Sequence, residues 1–146
     1  MGLEGSAKQL SMLSFLPGFS LPELLEKHPL ELRMAPTDDV VQGIIGEKRI
    51  PVLCKKGEPL LPRLVTMEND AVQIHFDLLG TIFYILTRGE EMLNPIRDEH
   101  GRFPATASHA YREGYLHRPV VDELVEILWA CMKRLWPGLE RQSRKF

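Results

Sequence analysis

The sequence predicts an α/β domain: a small mixed β-sheet over about residues 40–75, two principal helices over about 77–89 and 119–136, and a long ordered polar loop between them. Three observations carry that prediction. Short aliphatic runs broken by glycine, proline and charge fill residues 40–75, as strands and turns do. A run that is apolar nearly all round covers residues 78–86, and apolar residues recur at intervals of three and four from Val120 to Leu135. With 146 residues, 44% hydrophobic and 26% charged, the chain suits one domain whose core needs no metal or disulfide, and it is too apolar to stay disordered. A formal charge of −2 excludes a generic basic nucleic-acid binder.

Residues 1–19 read as a flexible amino-terminal arm, 20–140 as the single domain and 141–146 as a basic tail. Ser20-Leu21-Pro22-Glu23 combines an N-cap, an early proline and a capping-box acid, so a helix is expected from there to about Lys27, ahead of Pro29. Val40-Val41, Ile44-Ile45, residues 50–53, Leu64-Val65 and residues 72–74 are the expected strands, with residues 46–49 as a hairpin turn. Asp77 is placed to cap the next helix and Gly89 to stop it; its apolar circumference predicts burial on several sides. The last helix has Pro119 in its first turn, with Asp122, Glu123 and Glu126 near its positive end. Lys133 and Arg134 lie near its negative end, and Pro137-Gly138 follow.

The loop over residues 94–118 is longer than the ~12–15 residues usual for an unstructured connection. It holds three of the five histidines, and Phe103, Tyr111 and Tyr115 argue that it is packed. The longest apolar stretch, residues 76–86, is shorter than the ~18 residues a bilayer span requires. The amino terminus lacks the basic leader and cleavage site of a secretory signal. Residues 1–6 fit the loose myristoylation pattern, although a flexible terminus accounts for the same glycines. Cys54 and Cys131 read as buried thiols of a reducing compartment, which makes the expected location cytoplasmic.

Phosphate loops, dinucleotide fingerprints, nucleophile elbows and zinc-protease motifs are absent. Gly43-Ile44-Ile45-Gly46 has the spacing of an RNA-clamping loop but an apolar centre, so it reads as a strand between turns. Glu90, Glu91, Asp98, His100 and His117 offer the ligands and acid–base groups of a metal-assisted hydrolase. No histidine pair is three or four residues apart, so no single helix presents two imidazoles on one face. Arg97, Arg102, Arg112 and Arg118 offer these acids planar partners, and a structural polar network is the favoured reading.

Three blocks carry a resemblance: IHFDLLGTIFYILTRGEE over residues 74–91, DEHGRFPA over 98–105 and LHRPVVDE over 116–123. Together they resemble an uncharacterised amino-terminal region of bacterial polysaccharide-deacetylase-like proteins, over about residues 50–137. Gly89 stands where an aromatic residue is expected between Arg88 and Glu90. The catalytic domain of that family uses an Asp-Asp pair and a His-x-x-x-His metal pair. This chain has Asp38-Asp39 after Pro36-Thr37, which reads as a turn or helix start, and no histidines four apart.

The resemblance therefore implies an accessory or interaction module, not catalytic by itself and without a cofactor. It would dock a deacetylase catalytic domain in cis or in trans, or face a glycan through His109, Tyr111, Arg112 and Tyr115. Arg88, Glu90, Glu91, Asp98, His100, Arg102, His117, Arg118 and Asp122 are then family-signature positions, and Arg88, Arg102 and Arg118 are expected to pair with Glu90 and Glu91, locking the loop across the helices. The alternatives are a hydrolase of a glycan ester or amide, with a divalent metal, and a structural protein dimerising through Trp129, Met132 and Trp136.

Overall fold

The structure is a computed structural model, and it describes residues 7–12, 29–59 and 62–142. In chain order the elements are β1 (Gln9–Met12), β2 (Leu30–Ala35), α1 (Asp39–Ile45), β3 (Ile50–Lys55), β4 (Val65–Met67), β5 (Ala71–Ile74), α2 (Leu78–Leu86), α3 (Gly89–Leu93), a 3-10 turn (Ala105–Ala107), α4 (His109–Arg112) and α5 (Val120–Leu135). The α/β class is as expected, but the sheet is divided in two. One sheet has the order β1-β5-β4, with β1 parallel and β4 antiparallel to β5; the other pairs β2 with β3 antiparallel, from Leu30 opposite Lys55 to Ala35 opposite Ile50.

α5 closes the core over α1, α2 and strands β1, β3 and β5. Its buried residues Val120, Leu124, Ile127, Cys131 and Leu135 are the stripe expected from the sequence. Burying each large aliphatic side chain contributes about 1.5–3 kcal/mol. Leu124 and Ile127 meet Val41 of α1, Ile50 and Val52 of β3, and Val65, Val72 and Ile74 of the other sheet in one apolar cluster. β3 is buried on both faces. Ile50 and Val52 point into this core, while Leu53 packs with Leu30 and Tyr84 in a second small cluster.

Several sequence expectations give way. Val40-Val41 and Ile44-Ile45 are helical in α1, because pairs four residues apart also make one helix face, and Asp38 Oδ1 caps the Val41 N–H at 2.8 Å. The other oxygen, Oδ2, accepts the amides of Leu64 and Val65 at 2.7 and 2.9 Å, tying α1 to β4. Residues 46–49 consequently join a helix to a strand and turn no hairpin. Residues 9–12, expected in a flexible arm, form β1 beside β5, with Leu10 and Met12 against the core. The expected helix over residues 20–27 lies outside the described residues.

Asp77 caps α2 as anticipated, accepting the Gly80 N–H at 2.7 Å; a Cβ at Gly80 would collide with that carboxylate. Thr81 links α2 to β3, donating to the Asp77 carbonyl and accepting the Leu53 N–H at 2.9 Å. α2 is not buried on several sides, however: Leu79, Phe83 and Leu86 are exposed in one stripe along it, while Leu78, Thr81 and Tyr84 face inward. Gly89 does not end the chain's helical course. The turn is made at Arg88, in the left-handed region with φ 58°, and Gly89 opens α3. The tail is anchored at its start, where Arg141 pairs with Glu126 through two hydrogen bonds of 2.6 and 2.8 Å and lies over the Trp129 ring. Among the described residues, no helix is long and apolar enough to cross a membrane.

Candidate functional site

The sharp turn at Arg88 throws α3 back against α2 and brings Glu90 over the amino terminus of α4. Gly89 makes that return possible, since a Cβ there would fall 2.6 Å from the Tyr84 ring. The aromatic residue expected at this position by resemblance would have to displace that ring. Glu90 Oε1 accepts the His109 N–H at 2.6 Å, and the Arg112 guanidinium stands 3.8 Å from the same oxygen. His109 Nδ1 in turn shares a 2.6 Å hydrogen bond with the Tyr115 hydroxyl, and both residues are buried. Ser108 caps α4 from its own side chain.

Two adjoining cavities, of about 310 and 250 Å³, share Leu32, Tyr84 and Glu90 in their walls. The larger is also walled by Ile85, Arg88, Glu91, Phe103, Tyr115 and Leu116; the smaller opens between Glu31, Pro95, His109 and Arg112. Burial pushes the Glu90 carboxyl above the usual glutamate range, against the opposing pull of the His109 amide and Arg112. Burial, reinforced by the Glu90 charge, pushes the Tyr84 phenol up to about 12 and raises Tyr115 as well. Burial also holds His109 below the usual imidazole value, favouring its neutral form. The result is a partly apolar, carboxylate-centred pocket with two phenols kept protonated at neutral pH.

Of the residues considered for hydrolysis, Glu90 and Glu91 share a wall of the larger cavity. Glu91 pairs with Arg88. Asp98 belongs to a separate exposed turn, where it accepts the amides of His100 and Arg102, and the Arg102 amide holds its pKa below the usual aspartate value. His100 and His117 are exposed. Among the described residues, no three His, Cys, Asp or Glu side chains converge where they could hold a metal ion. Burial raises both thiols, Cys131 to about 11, which makes them poor nucleophiles.

The polar network forms with different partners from those expected. Arg102 reaches Asp98 at 3.3 Å, and Arg118 reaches the buried Glu123 at 3.1 Å, so neither arginine serves Glu90 or Glu91. Asp122, one residue earlier in α5, faces solvent while Glu123 takes the arginine. Helical phase decides this: only one of two adjacent positions can face the neighbouring segment. Of the four residues expected to face a glycan, His109 and Tyr115 are buried, Arg112 attends Glu90, and Tyr111 keeps an exposed ring. A tyrosine and histidine six residues apart in this compact segment satisfy each other before they satisfy solvent. Tyr84 escaped the sequence reading, because it is one residue in a run of aliphatic ones; its hydroxyl was the only hint that the run borders a polar site.

The chain belongs to a family of unknown function (DUF7033), whose model matches residues 20–137. No curated protein and no solved structure matches the chain.

Proposed function

We propose that the domain is a non-catalytic accessory module of polysaccharide-deacetylase-like proteins, docking a catalytic domain in cis or in trans. The exposed apolar stripe of α2 carries this reading: Leu79, Phe83 and Leu86 are 54%, 44% and 65% exposed on one helix face. Clustered apolar side chains left in water in this way mark interaction surfaces. Within the polar segment, Arg118 is paired with the buried Glu123, which supports a structural role for that charge. The resemblance over the blocks at residues 74–91, 98–105 and 116–123 supplies the identity of the partner.

The test is sedimentation and calorimetry of the chain mixed with a deacetylase catalytic domain from a protein that carries these three blocks. A complex is expected, weakened about tenfold or more by Phe83→Asp, because an interface core cannot desolvate a carboxylate without cost. Phe83 is exposed in the free chain, so the variant should keep its circular dichroism. Absence of a complex would overturn the reading. Stoichiometric zinc in the purified chain, with hydrolysis of a glycan ester or amide, would replace it with the metal-assisted hydrolase.

A further inference from the structure

The larger cavity is built differently from the apolar stripe on α2. Three aromatic residues line it, Tyr84, Phe103 and Tyr115, together with two carboxylates, Glu90 and Glu91. Aromatic faces carry a negative quadrupole, and a carboxylate beside them adds full negative charge in a partly dehydrated space. The cations nearby do not cancel it evenly. Arg88 is engaged with Glu91 and is largely exposed, while Arg112 lines the other cavity and approaches Glu90 only at 3.8 Å. Among the described residues, both polar contacts of Glu90 fall on Oε1, which leaves Oε2 to accept from a ligand. At about 310 Å³ the space suits a small ligand, at the lower end of ordinary small-molecule pockets.

We propose that this cavity binds a small organic ammonium ion with an apolar body, its charge held by Glu90 and its body between Tyr84, Phe103 and Tyr115. The apolar walls fix the body, and the carboxylate selects a cation over a neutral molecule of the same shape. An anion is disfavoured, because Arg88, which also walls the cavity, is already paired with Glu91, and Glu90 would repel it. The site goes beyond the docking role and stands apart from it, since the α2 stripe does not wall the cavity.

Benzylammonium, benzyl alcohol and phenylacetate are matched probes for the test, titrated into the full chain by NMR and calorimetry at neutral pH. Saturable binding of benzylammonium is expected, with movement of the Tyr84, Phe103 and Tyr115 ring resonances, and about tenfold or more weaker binding of benzyl alcohol. Glu90→Gln keeps an oxygen for the His109 amide, removes the charge and replaces the ligand-facing acceptor with an NH2 donor, so it should lower benzylammonium affinity about tenfold while preserving the fold. Ala105→Trp, at an exposed wall position, should block all probes by filling the space. Phe83→Asp should leave the affinity unchanged, which separates this site from the docking surface. Benzyl alcohol or phenylacetate binding as tightly as the cation would overturn the proposal. So would full affinity in Glu90→Gln, or no saturable binding at all.

Discussion

Beneath α5, the buried side chains are almost all hydrocarbon: Leu124, Ile127 and Leu135 rest on Val41, Val65, Val72 and Ile74. Between Arg88 and Arg118, by contrast, several buried or half-buried side chains carry heteroatoms matched to a named partner: Glu90 to the His109 amide, His109 to Tyr115, Arg118 to Glu123. Hydrocarbon packing is non-directional, so any residue of about the right volume contributes. Polar order is directional and fails when one partner is lost. The first region therefore supplies most of the stability, and the second supplies shape, including the cavity walls.

Substitution in the apolar region should have the largest effect. Leu124→Ala removes a fully buried side chain from the centre of the cluster and should lower unfolding free energy by about 2–5 kcal/mol, read from urea denaturation. Tyr115→Phe, its counterpart in the polar segment, keeps the ring and loses one buried hydrogen bond, and should cost about 1 kcal/mol. Equal losses from the two would mean that the polar segment belongs to the same cooperative core.

The same contrast explains which parts of the molecule could be read from sequence. α5 was evident because its stripe repeats over more than four turns, and Asp77 because capping acts within four residues. α1 was misread as strands because its pairs Val40-Val41 and Ile44-Ile45 fit both periods, and only the cap at Asp38 decides between them. β2 carries its own signal: Leu30, Leu32 and Met34 alternate with Glu31 and Arg33, the period of two of a strand. In the site, Glu90, His109 and Tyr115 were all named, but their pairing was not foreseen, because it depends on the turn at Arg88 and the close approach of Gly89 to Tyr84. Composition reveals which charges are available; geometry alone reveals which atoms they meet.

Acid–base behaviour should divide along the same line, with a smaller effect. Glu90 has its pKa raised by burial, so the native state binds its proton more tightly than the unfolded chain does. Its effect on stability is therefore a loss as pH rises, from the ordinary glutamate range through the raised value. Asp98 has the opposite sign: its contribution is present above the ordinary aspartate range and disappears as pH falls through its depressed value. Carbon-detected NMR titration should place Glu90 above ordinary glutamates and Asp98 below ordinary aspartates. Arg88, Arg112, Glu91, His109, Tyr84 and Tyr115 are among the titratable or charged neighbours of Glu90; burial moves His109 down towards the raised Glu90 and takes both phenols further above it. Relative to Glu90→Gln, the wild-type chain should lose stability across that interval. A gain would show that Arg112 and the His109 amide outweigh burial.

The smallest effect is expected at Arg102, although the sequence made it an anchor of the loop. Its guanidinium reaches Asp98 Oδ2 at 3.3 Å from an exposed position, where solvent and salt screen the pair. The turn itself is held by the Asp98 carboxylate and by backbone. Asp98 Oδ1 accepts the His100 and Arg102 amides at 2.8 and 2.9 Å, the Asp98 N–H donates to the Arg102 carbonyl at 2.7 Å, and Gly101 supplies a φ of 75°. None of these bonds uses the Arg102 side chain. Arg102→Ala should thus leave the denaturation midpoint and the rate of proteolysis over residues 97–102 unchanged. Asp98→Ala should speed cleavage there, because two amides lose their acceptor. If Arg102→Ala opens the turn to protease as readily as Asp98→Ala, the guanidinium pair holds this segment, and the directional bonds to Asp98 Oδ1 and within the backbone are secondary to charge.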